Sequence, residues 1–282
     1  MSACLNCGAP LTGAFCAACG QRSVPANPTV RELAGDTWSE LTGYDGRIAS
    51  TFRALLQPGR LTTEYIQGRR ARYLPPVRLY LIVSVLYFLV SAAAPVTETR
   101  SGDERDGAGG LRIGVTGGAG TGTPMSPEER AAALRDLDDS PWWIRPMLRS
   151  MVEDPAAFRA RIFTIMPRVF FGLLPVFAGI VALFYRGRRF PTALVFAAHL
   201  HAFAFLVFSL TEGAKFMSVP MLETMVGLIV AIGFVVYALK ALRSVFGGGW
   251  PITLAKGIAI GFVYLLASVP AFMIILIWAS VV

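Results

Sequence analysis

Five long apolar runs constrain this chain more than anything else in it. They fall at about 77–96, 169–185, 191–210, 221–242 and 257–281, each near the roughly 20 residues with which a helix crosses the hydrocarbon of a bilayer. Inside lipid every backbone N–H and C=O must find its partner within the segment, so runs of this kind fold as helices. The composition agrees, with 54% hydrophobic and only 16% charged residues where a soluble domain carries about 25% charged. That balance excludes an ordinary soluble enzyme, a disordered chain and a secreted disulfide scaffold. The expected fold class is an all-α polytopic membrane protein with five transmembrane helices.

Charge placement gives an expected orientation. The net charge is +8, and most of the excess abuts the apolar runs. The segment through Arg78 has a balance of +4, and the loops with Arg186, Arg188 and Arg189, and with Lys240, Arg243 and Lys256, carry +3 each. The stretch from Glu98 to Arg161 comes to −2, and the turn with Glu212, Lys215 and Glu223 to −1. Cytoplasmic loops are the positive ones. The amino terminus is therefore expected inside and the carboxyl terminus outside. Basic residues so placed read as lipid anchors, and nucleic acid is not an expected partner.

All four cysteines lie in the first nineteen residues, as Cys4-Leu-Asn-Cys7-Gly8 and Cys16-Ala-Ala-Cys19-Gly20. Residues 1–20 lack the basic start and apolar stretch of a secretory signal, so the thiols are expected on the reducing side. Each Cys-x-x-Cys-Gly can close a tight knuckle, its glycine supplying a positive φ after the second thiolate. Two knuckles facing each other place four sulfurs in a tetrahedron, the geometry of a structural zinc ribbon. Iron fits the same ligands. A module this short buries no core of its own, so metal must supply its folding energy. One zinc per chain, held by Cys4, Cys7, Cys16 and Cys19, is the expected cofactor.

The ribbon should occupy 1–22. Over 23–76 the reading is amphipathic helices and a basic juxtamembrane segment. One helix follows the Thr29-Val-Arg-Glu32 capping box, and a second carries Ile48, Phe52, Leu55 and Leu56 before Pro58-Gly59 stops it. Each has one apolar stripe, so they should lie on the bilayer or on the spans. After the first span at 77–96, the stretch 97–168 is expected outside, as a glycine-rich linker (102–122), a short helix from Ser126 and interfacial helices around Trp142 and Trp143. The four remaining spans fill 169–282.

Several motifs resemble a known family. The cysteine pairs ending in Cys19-Gly20-Gln21 are followed by Pro58-Gly59-Arg60, Glu64-Tyr65-Ile66, Gly68-Arg69-Arg70-Ala71-Arg72-Tyr73-Leu74-Pro75-Pro76 and Leu79-Tyr80-Leu81. Together they look like an uncharacterised family of bacterial inner-membrane proteins, a domain of unknown function fronted by a zinc ribbon. The likeness continues at Val195-Phe196-Ala197-Ala198-His199-Leu200-His201-Ala202-Phe203. It implies an inner-membrane location and no particular activity.

Two further groups are candidate sites. Arg69, Arg70, Arg72 and Arg78 precede and open the first span, where they can hold lipid phosphate or a partner. His199 and His201, the two histidines of the chain, fall mid-way along the third span, where ionisable groups are costly and often functional. Residues two apart diverge by about 200° on a helix, so the pair cannot chelate one ion and at most one should face the bundle interior. Nothing matches a catalytic triad, a paired-carboxylate site or a metalloprotease helix. The favoured expectation is a non-enzymatic adaptor that docks a cytosolic partner at the membrane. A small transporter using the histidines is the alternative, and an intramembrane enzyme the weaker one.

Overall fold

A computed structural model describes residues 3–23, 47–95, 127–142 and 144–281. The helix expected after Thr29 and the glycine-rich linker at 102–122 lie outside the described residues. A small cysteine module (3–23) precedes the helices α1 (Ile48–Leu55), α2 (Arg60–Ile66), α3 (Pro76–Ala93), α4 (Pro127–Asp136), α5 (Arg145–Glu153), α6 (Pro155–Phe184), α7 (Phe190–Ala214), α8 (Pro220–Phe246) and α9 (Trp250–Val281). Among the described residues no strand forms beyond two isolated bridges in the cysteine module.

Five helices, α3 and α6 to α9, are long and apolar enough to cross a membrane. Proline punctuates the starts of α3, α6, α7 and α8, where its missing N–H is one of the unpaired donors anyway. Short turns at 185–189, 215–219 and 247–249 make α6 to α9 successive antiparallel neighbours.

Two helices depart from the expected boundaries. The interfacial stretch near Arg161 and the second span are one helix of 30 residues, which carries Pro167 and Pro175 in its interior. A proline removes one backbone bond, and here packing holds the segment that precedes Pro167. Phe158 and Ile165 of α6 sit in one apolar cluster with Leu148 of α5 and Ile275 of α9. The last helix begins at Trp250, seven residues before the apolar run at 257. Lys256 does not interrupt it, because its Nζ reaches back to the Phe184 carbonyl at 2.9 Å and lies 4.3 Å from the centre of the Tyr185 ring. The charged tip snorkels while the stem stays among apolar neighbours.

The central helix is α7. Of its membrane window 56% is buried, against 17% for α9, and it packs on α2, α3, α6 and α8. Small side chains permit this closeness, with Ala193, Ala197, Ala198 and Ala202 almost wholly enclosed. Phe205 touches both Tyr80 and Tyr87 of the parallel α3, which sets the first turn of α3 beside residues 197–199. That is roughly 10 Å along α7 from its start.

The space left by this late start is filled by α1 and α2. Leu55, Leu61, Thr62 and Tyr65 are buried there, and the Tyr237 hydroxyl of α8 donates to the Leu55 carbonyl at 2.6 Å. At the corner between α1 and α2, Gly59 has φ +76°, and a Cβ there would lie 2.8 Å from Ser244 Cβ. Only glycine fits both the turn and the approach. These amphipathic helices plug one end of the bundle rather than resting on its surface.

Candidate metal centre and the loop that receives it

Each half of the cysteine module is a knuckle built on the same bonds. Cys4 N–H donates to Ala9 O and Gly8 N–H to Cys4 O, while Cys16 N–H donates to Gln21 O and Gly20 N–H to Cys16 O. Bridges Ala3–Pro10 and Phe15–Arg22 close the two turns, and Gly8 and Gly20 take the positive φ the turns require. The four Sγ atoms lie within 4.8 Å of one another. Cys4 and Cys19 sulfurs are 3.7 Å apart, and those of Cys7 and Cys16 3.6 Å. A tetrahedron of metal–sulfur bonds of about 2.3 Å has edges of about 3.8 Å, so the donor set fits a closed four-thiolate site. Donation from the Asn6 side chain and the Gln21 backbone lowers the pKa of the Cys19 thiol, while sharing of protons with the neighbouring sulfurs raises that of Cys7, so the thiols titrate as one set.

The module is not loosely tethered. Gln21, 7% exposed, donates through Nε2 to the Gly68 carbonyl at 2.5 Å and accepts at Oε1 from the N–H groups of Arg70 and Ala71, each at 3.0 Å. One side-chain amide thus satisfies three backbone groups of the loop between α2 and α3. Beside it, Gly68 has φ +88° and lies so close to Leu5 that a Cβ would come within 2.8 Å of Leu5 Cβ. Sequence reasoning missed Gln21 as a site residue, because a lone amide after a knuckle carries no spacing signal.

The arginines proposed for lipid have local duties. Arg69 bonds Glu64 at 2.5 Å, holding that carboxyl below its ordinary range. Arg70 lies over the Tyr65 ring, 5.1 Å from its centre, and Arg72 donates to the Asn6 carbonyl at 3.1 Å. Arg78 falls in the first turn of α3, already beside the bundle. The basic segment is therefore the socket of the cysteine module, and the other positive loops, at 186–189 and 243–256, cluster at this same end.

His199 and His201 point to opposite sides of α7, and both meet protein. His199 Nδ1 is 3.0 Å from Thr62 Oγ1 on α2, with the Tyr65 ring edge-on beside it. His201 Nδ1 is 2.8 Å from the Ala197 carbonyl, and its Nε2 is 2.9 Å from the Tyr264 hydroxyl on α9. The expectation of a single inward histidine assumed a peripheral helix. On a central one every face is an interior. The two imidazoles do not converge on a common ligand.

At the opposite end, α5 lays its apolar face on α6 and α9. A cleft of about 450 Å³ above it is lined by Arg145, Arg149 and Arg161 together with Glu153, Asp154 and the exposed Trp142.

A family described as "Protein of unknown function (DUF3667)" matches residues 45–88. The match spans α1, α2, the loop that receives Gln21 and most of α3. No curated protein and no solved structure matches the chain.

Proposed function

We propose that this chain is a non-enzymatic adaptor of a bacterial inner membrane, whose zinc-bound cysteine module presents a fixed face to a cytosolic partner. The observation that carries this reading is the Gln21 clamp. A module meant only to stabilise the chain terminus needs no socket, whereas three directed bonds onto the 68–71 loop make module and bundle a single platform. Zinc suits the closed, four-thiolate donor set, with Cys4, Cys7, Cys16 and Cys19 as ligands and a structural role for the ion. The gathering of Arg69, Arg70, Arg72, Arg186, Arg188, Arg189, Lys240, Arg243 and Lys256 at that end supports a cytosolic amino terminus and an outside carboxyl terminus. A transporter built on the histidines draws less support, since His199 and His201 face different helices and each is held by a partner of its own.

The test is capture by crosslinking from native membranes. The full chain should retain a defined cytosolic protein that both Cys16→Ser and Gln21→Ala lose while the spans stay helical. An identical capture by all three chains, or retention of membrane lipids alone, would sink the adaptor reading. Reporter fusions at Gly120 and Val282 test the orientation, and an inside signal from either contradicts it.

A further inference from the structure

A cavity of about 360 Å³ lies among α6, α7, α8 and α9, within the size range of small-ligand sites. It is unconnected with the docking reading. Its rim residues Val235, Leu254 and Ile258 belong to the outer surface of the spans, 55%, 47% and 64% exposed. In a bilayer that surface is lipid, so the mouth opens onto acyl chains rather than water. On one wall Gly261 faces open space, and a Cβ there would meet nothing within 4 Å.

The titratable or hydroxyl-bearing side chains lining the cavity are His201 and Tyr264, and their hydrogen bonds fix what they can still offer. The Ala197 carbonyl can only accept, so the ring proton of His201 sits on Nδ1. Nε2 is then a lone pair, and it must accept the proton of the Tyr264 hydroxyl. That proton is committed. What Tyr264 retains is acceptor capacity on its oxygen, with no donor beside it.

We propose that this cavity binds an uncharged long-chain lipid alcohol, which enters from the membrane and donates its hydroxyl proton to Tyr264 Oη. A charged headgroup is excluded by the apolar walls, where an unpaired charge has no compensation. A ligand headed by a carbonyl, such as an ester or a quinone, finds no donor, because taking the tyrosine proton would orphan His201 Nε2.

Photolabelling of the full chain in phosphatidylcholine nanodiscs tests this. The probes are a diazirine-bearing hexadecanol and, as its acceptor-only counterpart, a diazirine-bearing methyl hexadecanoate. The alcohol should label α9 between residues 254 and 264 about fivefold more than the ester, the worth of one net hydrogen bond, and excess plain hexadecanol should suppress it. Tyr264→Phe alone would free His201 Nε2 to accept the same proton. The informative variant is therefore Tyr264→Phe combined with His201→Phe, which removes both acceptors and should reduce alcohol labelling to the level of the ester. Gly261→Leu should block both. Equal labelling by the two probes in the native chain, or alcohol labelling indifferent to the combined Tyr264→Phe and His201→Phe change, would overturn the proposal and leave a crevice filled by ordinary membrane chains. Stronger competition by decylubiquinone than by hexadecanol would overturn it too, by placing a donor in the cavity.

Discussion

The cysteine module and the central helix α7 each hold polar groups in a fixed geometry, and they do so by opposite means. In the module, residues 3–23 are arranged around four sulfurs, with Cys4 and Cys16 buried but Cys7 exposed, and there is little apolar surface to keep the turns closed. Around α7, small and aromatic side chains enclose more than half of the helix, and the histidines take their places because the packing does. Under the proposed metal-bound reading the first region depends on ligand chemistry, whereas the second depends on volume. Each should therefore be sensitive to a change that the other tolerates.

The largest effect is expected from the thiols. A structural four-thiolate zinc site contributes on the order of 10–16 kcal/mol to a small module, far beyond what the turns supply alone. Cys16→Ser should lower the metal content from about one ion per chain to none and open residues 3–23 to proteolysis. The helical content of the spans should hardly change, because no cysteine touches them. Loss of both metal and span structure in this variant would show that the two regions are not separable.

A volume change sharpens the other half of the comparison. Ala202 of α7 is wholly buried, whereas Leu265 of α9 is 62% exposed on the bundle's outer face. Ala202→Leu should destabilise the bundle by about 1–3 kcal/mol through overpacking, and Leu265→Ala should stay within about 0.5 kcal/mol. Thermal unfolding in detergent compares them directly. Equal sensitivity would deny α7 its central place.

This contrast also explains what was legible beforehand. The grouping of the four thiols could be read because a pattern written in two local Cys-x-x-Cys pairs needs no knowledge of the fold. The five spans were readable from hydropathy alone, within a turn or so at most ends. The order of burial was not. The windows of α7 and α9 have mean hydropathies of 2.0 and 2.5, nearly the same to a method that counts apolar residues. Apolarity reports that a helix leaves water, not whether it then meets lipid or protein. Side-chain size is the available signal, and the alanines at 193, 197, 198 and 202 carry it. The long start of α6 was hidden by Pro167, and the socket for Gln21 depends on contacts between residues almost fifty positions apart.

The histidines allow a finer cut. His199 meets Thr62 across the joint between the plug and the spans, so His199→Leu leaves the threonine hydroxyl with no imidazole to pair with. A double-mutant cycle with Thr62→Val should give a coupling of about 0.6–2 kcal/mol, the range for hydrogen bonds between membrane helices. Measured by unfolding, zero coupling would mean that α2 is held by Leu61 and Tyr65 without help from the hydrogen bond. Pairing His199→Leu with Tyr264→Phe should give none, because the second residue belongs to the far side of α7.

The smallest effect belongs to the socket itself. Arg69 holds the carboxyl of Glu64 below its ordinary pKa, so the ionised form is favoured in the folded loop. The stabilisation is complete above about pH 4.3, the value of a free glutamate, and is lost as pH falls through the lowered folded pKa. Both side chains keep some contact with solvent, at 17% and 30% exposure, so the pair is worth at most about 1 kcal/mol. Acid will also release a thiolate-bound metal, which makes the pH profile of the native chain ambiguous by itself. Glu64→Gln separates the two, since it removes the carboxylate and leaves the sulfurs alone. Amide exchange at Arg70 and Ala71, whose N–H groups are held by Gln21, should be slightly faster in that variant at pH 7. Lowering the pH below about 4, through the depressed folded pKa, should narrow the gap from the native chain. A gap that widens on acidification would mean that the ion pair does not support the socket, and that Gln21 and Leu5 hold it without help from charge.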